Sequence, residues 1–435
     1  MFNIQFRLLL KLAVPMMVTQ VLVLLMAFVD NLMVGRLGPN FLAGLSLASG
    51  YYNLSSIIAF GILGALGPIA AAAFSKGNVK KAKSIAHHGL LIALITSAIL
   101  AIFLLFAEPF FLLTGQSPEV SRIATQYLNV LFLAVPAQLC FFALRNISDG
   151  NNDALIATLI AGASALLNIP LDYALILGKW GLPAYGVAGA ALATSLLSWM
   201  NLVVLFAYLH FSKKYRSLNL LSKPVFSKTL LSSIIKEGIP LGAAIAAEMA
   251  FFVVLTFVIG RIGTVELAAH QVALNATAVA FMVPLGLSFA IGIRIGDLLE
   301  KGDVKGAREA WKASILISIS FSVLSSLLFL FLPEAIVDLY DQKGKVKELA
   351  ISLLLVAGAF QFADGLQVVG VGALRGLKKG RIAFRNTMIS FWGISAFIVY
   401  WRYLEKDLVG IWYAMLLALV IATLFHHTKV WKELR

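Results

Sequence analysis

Charge is scarce in this chain. Asp, Glu, Lys and Arg make up 13% of its 435 residues, against about 25% in an ordinary soluble domain. That excludes a typical globular enzyme. Cysteine is almost missing: Cys140 stands alone, so no internal disulfide exists, and its simplest reading is a small apolar core residue. No Walker phosphate loop occurs, so ATP does not drive the protein directly. The run GVGALRG at Gly370–Gly376 reads as the end of a membrane helix and not as a nucleotide loop. Acid is rarer than base, 21 Asp and Glu against 35 Lys and Arg. The excess of base lies in short loops between apolar runs and not on one soluble face, which excludes nucleic acid as a partner.

What is present is apolar. The chain is 60% hydrophobic, with mean hydropathy +0.91. A spanning helix needs about 20 apolar residues. Twelve such runs are expected, at 8–34, 41–73, 85–107, 122–146, 153–177, 184–210, 233–260, 266–298, 310–332, 347–374, 384–402 and 408–428. The first follows a positively charged start with no small-residue cleavage site after it, so it reads as a retained helix and not a signal peptide.

With these spans, the loops alternate between basic and non-basic. One side, which includes both termini, carries 26 of the 35 Lys and Arg. Excess positive charge marks the cytoplasmic side. Both termini are therefore expected inside a cell membrane, which requires an even number of spans.

The two halves repeat. KLAVP at Lys11–Pro15 matches KEGIP at Lys236–Pro240, and VGRLG at Val34–Gly38 matches IGRIG at Ile259–Gly263. SKGNVKKA at Ser75–Ala82 matches EKGDVKGA at Glu300–Ala307. All three share an offset of 225, and ALR at Ala143–Arg145 recurs at Ala373–Arg375 with an offset of 230. Six spans per copy give both copies the same orientation, related by an axis along the membrane normal. The fold class is thus an all-α integral membrane protein of twelve helices in two six-helix bundles. The expected division is an N-terminal bundle at 1–210, a cytoplasmic linker at 211–232 and a C-terminal bundle at 233–435. A central cleft near the midplane is where substrate is expected. Pro170, Pro284, Gly61, Gly64 and Gly67 are candidate hinges.

Four carboxylates interrupt the apolar runs: Asp30, Asp172, Glu248 and Asp364. A charge at the bilayer centre costs about 2.5–3.5 kcal/mol on insertion scales, so they point to uptake and release of small cations. Their positions do not coincide between repeats; Glu248 maps to Val23 and Asp364 to Ala134. Asn168 and Asp172 share a helix face at i, i+4. Pro170 between them cannot donate to the carbonyl of Leu166. An amide, a carboxylate and a free carbonyl near Asp30 make a proton or cation site. A structural hydrogen-bond cluster is the alternative reading. Glu248 and Asp364, if they approach each other, offer oxygen ligands to a proton or to Na⁺.

Several motifs in order resemble the multidrug and toxic compound extrusion (MATE) family, and within it the NorM-like branch. They are AFVDNLMVGRLG at Ala27–Gly38, LLNIPLDYALILG at Leu166–Gly178, AAEMAFF at Ala246–Phe252, LAAHQVALN at Leu267–Asn275 and FQFADGLQVVGVGALRG at Phe360–Gly376. The resemblance implies export of cationic, amphipathic compounds, driven by inward Na⁺ or H⁺. It implies coupling roles for Asp30, Glu248 and Asp364. Phe360 stands where NorM-like members often carry Tyr, keeping a ring face for a cation–π contact. The pairing of Asn168 with Asp172 looks like the archaeal, proton-coupled branch. Phe252, Gln271, Asn275, Met282 and Gln361 are candidate substrate contacts. His270 is expected to be packed, and Arg294 to snorkel to the cytoplasmic surface. Expected partners are cationic small molecules and membrane lipids, with no cofactor, and the protein is expected to be a monomer. Two rivals remain: a flippase for lipid-linked oligosaccharides, and a polyprenyl-type membrane enzyme with magnesium at Asp149 and Asp153. The bland reading of that last pair is a helix-flanking turn.

Overall fold

The backbone of a chain in hydrocarbon must satisfy its own hydrogen bonds, and the α-helix does so within one segment. A computed structural model describes residues 1–223, 226–340 and 343–435. Residues 224–225, inside the linker expected at 211–232, and residues 341–342 lie outside the described residues. Among the described residues all regular structure is helical. In chain order the α-helices are α1 (Phe2–Gly35), α2 (Pro39–Gly64), α3 (Leu66–Ser75), α4 (Val79–Leu105), α5 (Ala107–Leu113), α6 (Pro118–Leu131), α7 (Val135–Gly150), α8 (Ala154–Leu177) and α9 (Val187–Phe211). They continue with α10 (Lys228–Gly260), α11 (Thr264–Glu300), α12 (Val304–Phe331), α13 (Pro333–Asp338), α14 (Gly344–Gly376), α15 (Gly380–Thr387), α16 (Ala396–Leu404) and α17 (Leu408–Leu434). A wide helical turn at Met388–Ser395 joins α15 to α16.

Among the described residues eleven spans are long and apolar enough to cross a membrane; α6 and α7, bent by 55°, make a twelfth when taken together. The bend has a local cause. Pro136 cannot continue the ladder, and Leu133 and Ala134 close tight turns onto Val130 and Leu131. Side chains of α9 cover the carbonyls at the bend: Trp199 Nε1 donates to Leu133 O at 2.9 Å, and the Ser195 hydroxyl, donating mainly to Ala191 O at 2.7 Å, shares its proton with Val130 O at 3.2 Å.

By internal packing the chain forms two units. One is Val21–Gly242; the other joins Met1–Gln20 to Ala243–Arg435. The boundaries fall inside α1 and inside α10. In the Val21–Gly242 unit, the start of α10 lies on α2 with no side chain between them. A methyl on Gly61 would sit 2.2 Å from Gly242 Cα, and one on Gly238 would sit 2.4 Å from Ile62 Cα. In the other unit the start of α1 lies on α11, where a methyl on Gly286 would sit 2.5 Å from Met17 Cα. The offset of 225 carries Gly61 to Gly286 and Met17 to Gly242, so the two crossings are counterparts. Gly61 and Gly67, candidate hinges in the sequence, both lie at helix contacts; a methyl on Gly150 would meet Gly67 O at 2.8 Å.

The second unit is built on α11 against α14. A methyl on Gly372 would fall 2.2 Å from Ser288 O, and one on Gly376 would fall 2.5 Å from Gly292 O. Small residues four apart on both helices allow this approach, and close contact is a main source of helix association in lipid. An aromatic core closes the same unit. Phe251 meets Phe391 at 5.3 Å, and Phe360 meets Trp412 at 6.0 Å and Phe252 at 6.4 Å between ring centres.

Gly372→Ala is expected to lower thermal stability in detergent by at least about 1–3 kcal/mol, the usual cost of overpacking. Gly50→Ala, with nothing within 4 Å of the added methyl, should leave the melting temperature unchanged or slightly raised. Fluorescence-detected thermal unfolding of the two variants checks this.

Candidate functional site

The Val21–Gly242 unit brings Asp30 of α1 to Asn168 and Asp172 of α8. Asn168 Nδ2 donates to Asp30 Oδ1 at 3.0 Å. Asn168 and Asp172 are fully buried. Among the described residues neither oxygen of Asp172, nor Oδ1 of Asn168, makes a hydrogen bond of normal length and angle, although the Asn168 amide lies next to Asp172. The Asp30 and Asp172 carboxyl groups are neighbours. Three buried acceptors without a normal hydrogen bond are costly in hydrocarbon, and a proton or small cation is what such a set lacks.

Neutral residues extend this cluster, and the sequence alone did not single them out. Tyr127 of α6 is buried beside both acids, and its hydroxyl hydrogen-bonds to Ser49. Tyr52 OH donates to Gln138 Oε1 at 2.5 Å, and Gln138 Nε2 donates to Ser198 Oγ at 3.3 Å. Tyrosines and glutamines are common at helix contacts, so no local pattern marks these.

The second unit brings Glu248 of α10 to α14. Gln367 Nε2 donates to Glu248 Oε2 at 3.1 Å. Asp364 is buried within range of the Glu248 charge. Ser318 and Ser322 of α12 lie against Gly365, where a methyl would be 2.9 and 3.1 Å from their hydroxyl oxygens. Gln367 Oε1, Ser318 Oγ and Gln361 Nε2 are buried without partners among the described residues, and Ser322 Oγ donates to Gln361 O at 3.0 Å. Gln367 was legible in principle: it is three residues from Asp364, hence on the same helix face. Among the described residues no group of three or more His, Cys, Asp or Glu side chains is arranged to hold a metal ion.

The other sequence candidates fall elsewhere. Phe360 is buried in the aromatic core between Phe252 and Trp412. Gln271 and Met282 are half-buried on α11, and Asn275 is exposed there. His270 is fully buried; its Nδ1 accepts from Trp412 Nε1 at 3.2 Å. Arg294 does not snorkel. It is buried, donating from Nε and Nη2 to Gln5 Oε1 (3.0 and 2.7 Å) and from Nη1 to Asp297 Oδ2 at 2.9 Å. The amide of Gln5 and the carboxylate of Asp297 supply inside the protein what water would supply at the surface.

Each acid of the enzyme reading has one oxygen engaged in a structural contact. Asp149 pairs with Arg145 at 3.4 Å. Asp153 Oδ2 accepts from Tyr215 OH at 2.9 Å and Tyr208 OH at 3.0 Å and pairs with Lys214 at 3.2 Å. Burial, with Asp153 alongside, pushes the Tyr215 phenol well above its ordinary range. This turn ties the linker to α8 and α9 through Oδ2 of Asp153.

A multi-pass helical bundle with acidic clusters inside both of its units, each holding buried polar atoms without partners among the described residues, has the makings of a membrane transporter. The chain belongs to the MatE family, whose model matches residues 15–174 and again 240–401. The two matches begin 225 residues apart, the offset of the internal repeat. The chain is 33% identical over 425 residues to the "Probable multidrug resistance protein NorM" of Pseudomonas putida, covering 95% of this chain and 91% of that one. It is 34% identical over 390 residues to the "Multidrug resistance protein NorM" of Vibrio vulnificus, with 88% and 84% covered. In fold it is similar to the eukaryotic MATE transporter AtDTX14 (TM-score 0.90, 20% identity, 100% and 98% covered). It is also similar to a point mutant of the Vibrio cholerae MATE transporter VcmN (TM-score 0.91, 16% identity, 100% and 98% covered). The protein is accordingly a multi-pass membrane transporter and not an enzyme.

If the acid pair of the first unit holds a proton or cation, Asp172→Asn separates coupling from stability. The new amide can donate to Asp30, so the melting temperature should hold or rise while transport falls to the level of empty liposomes. Paired thermal unfolding and efflux assays read the two effects independently.

Proposed function

We propose that the protein exports cationic, amphipathic compounds across the cytoplasmic membrane by antiport against Na⁺ or H⁺. One observation carries this reading: each unit holds a buried carboxylate, Asp172 or Asp364, beside buried polar atoms that lack a hydrogen-bond partner among the described residues. The names of the NorM relatives support the multidrug cargo, and the basic loops support cytoplasmic termini.

In this reading Asp30, Asn168 and Asp172 load a proton or cation in one unit. Glu248 and Asp364 do so in the other, with oxygens of Gln367 and Ser318 completing the shell if the ion is Na⁺, since hard cations take oxygen ligands. Phe360 supports that site from the aromatic core. Phe252, Gln271, Asn275, Met282 and Gln361 contact the cargo through ring faces, a thioether and amides. An occupied carboxylate no longer attracts an organic cation, so ion and cargo exclude each other. Alternating access then exposes the ion-loaded form to one side of the membrane and the cargo-loaded form to the other. One elementary charge moving down 100 mV releases about 2.3 kcal/mol, roughly a 50-fold gradient, which suffices for export without ATP. The protein works as a monomer and needs no cofactor.

Reconstituted protein should move a fluorescent organic cation when a Na⁺ gradient or a pH gradient is imposed separately, and the effective gradient names the ion. Glu248→Gln and Asp364→Asn should each abolish the driven component. Unchanged efflux in both variants would falsify the assignment.

A further inference from the structure

We propose that the Val21–Gly242 unit carries a binding site for one anionic phospholipid, set where the linker leaves α9. The site goes beyond the transport reading and does not depend on which ion drives it.

An open groove of about 450 Å³ lies among α4, α7, α9 and the linker, lined by Leu90, Cys140, Phe206, His210, Phe211 and Leu221. Its volume is that of a small-molecule pocket, and its walls are almost wholly apolar. An acyl chain suits such walls. The linker wall is fixed in place. His88 Nδ1 donates to Ser84 O at 2.7 Å, which leaves its Nε2 to accept from Ser227 N at 3.1 Å. His87 Nε2 donates to Leu220 O at 3.2 Å, next to Leu221.

Cations flank two of the lining residues in sequence. Lys213 follows Phe211 by two residues and Lys223 follows Leu221 by two, with Arg216 between them in sequence; all three are exposed. Among the described residues none of these three is engaged in an ion pair, whereas Lys214 is occupied by Asp153. His210 belongs to the lining; its ring is stacked on Phe206 at 6.2 Å, and its Nδ1 is buried without a partner among the described residues. Apolar walls, an unpartnered ring nitrogen and three free cations close along the chain match a lipid with apolar tails and a phosphate head. Basic pockets at the ends of membrane helices recognise anionic headgroups in this way. The tail lies in the groove, and the phosphate meets Lys213, Arg216 and Lys223. Because Leu221 of the linker forms part of one wall, an occupied groove braces that turn of the linker.

The test uses the purified full chain, stripped of lipid in detergent and mixed with phosphatidylglycerol or phosphatidylethanolamine of matched tails, with bound lipid counted by native mass spectrometry. One phosphatidylglycerol should survive activation that removes phosphatidylethanolamine, and excess glycerol phosphate should not displace it. Lys213→Gln and Lys223→Gln, both at exposed positions, should each lower the retained fraction about fivefold, and Ala207→Trp should fill the groove and abolish retention. Phosphatidylglycerol with a diazirine in its tail should crosslink to peptides of α9 and to the peptide holding Cys140. Equal retention of the two lipids, displacement by glycerol phosphate, or crosslinks spread evenly over the apolar helices would overturn the proposal.

Discussion

At Ser288, Gly292, Gly372 and Gly376 two helix backbones meet with no side chain larger than the Ser288 hydroxymethyl between them, and the chemistry of one unit depends on that contact. Hydrocarbon offers no hydrophobic drive for helices to associate, so close packing and polar contacts must supply it. Asp364 lies about two helical turns from Gly372 on α14. With α14 held tightly to α11, and α12 presenting Ser318 and Ser322 to Gly365, the carboxylate sits among polar groups and not in lipid. A wider separation at Gly372 would open the same face to hydrocarbon and leave a bare acid there. Packing between small residues thus precedes any chemistry the acid performs.

The two repeats use one scaffold for different ends. The offset that matches ALR in both halves carries Asp364 to Ala134, which lies at the bend between α6 and α7. One copy has an acid in an unbroken helix; the other has a break whose neighbouring carbonyls Ser195 and Trp199 cover. The same offset relates Arg145 to Arg375. Arg145 keeps Asp149 as a partner. The position matching Asp149 is Lys379, and Arg375 instead lies 4.6 Å from the ring centre of Phe289. Duplication preserved the helix contacts, while the polar side chains diverged.

The spans, the repeat and the four acids within the spans were legible because each is a one-dimensional signal: apolar length, a fixed offset, a charge out of place. The pairing of Asn168 with Asp172 was legible because helical periodicity fixes which residues share a face. What surrounds the acids was not. Tyr127, Tyr52, Gln138 and Ser318 come from other helices, and nothing in their local sequence says where those helices lie. Arg294 shows the same limit from the opposite side. Its position near a helix end fits snorkelling, and only the fold brings Gln5, from far along the chain, close enough to bury it. The bend at Ala134 was hidden because apolar composition runs straight through it.

The division of the chain within α1 and α10 bears on how such a protein arises. Each unit completes its packing with the leading segment of the other repeat's first helix, Met1–Gln20 in one and Lys228–Gly242 in the other. A half-length forerunner making these same contacts cannot finish its own bundle. It must lend its leading arm to a second copy and borrow that copy's arm, as a domain-swapped homodimer. Fusion of two genes then turns a reciprocal exchange between molecules into one within a single polypeptide, and frees each half to change its residues separately.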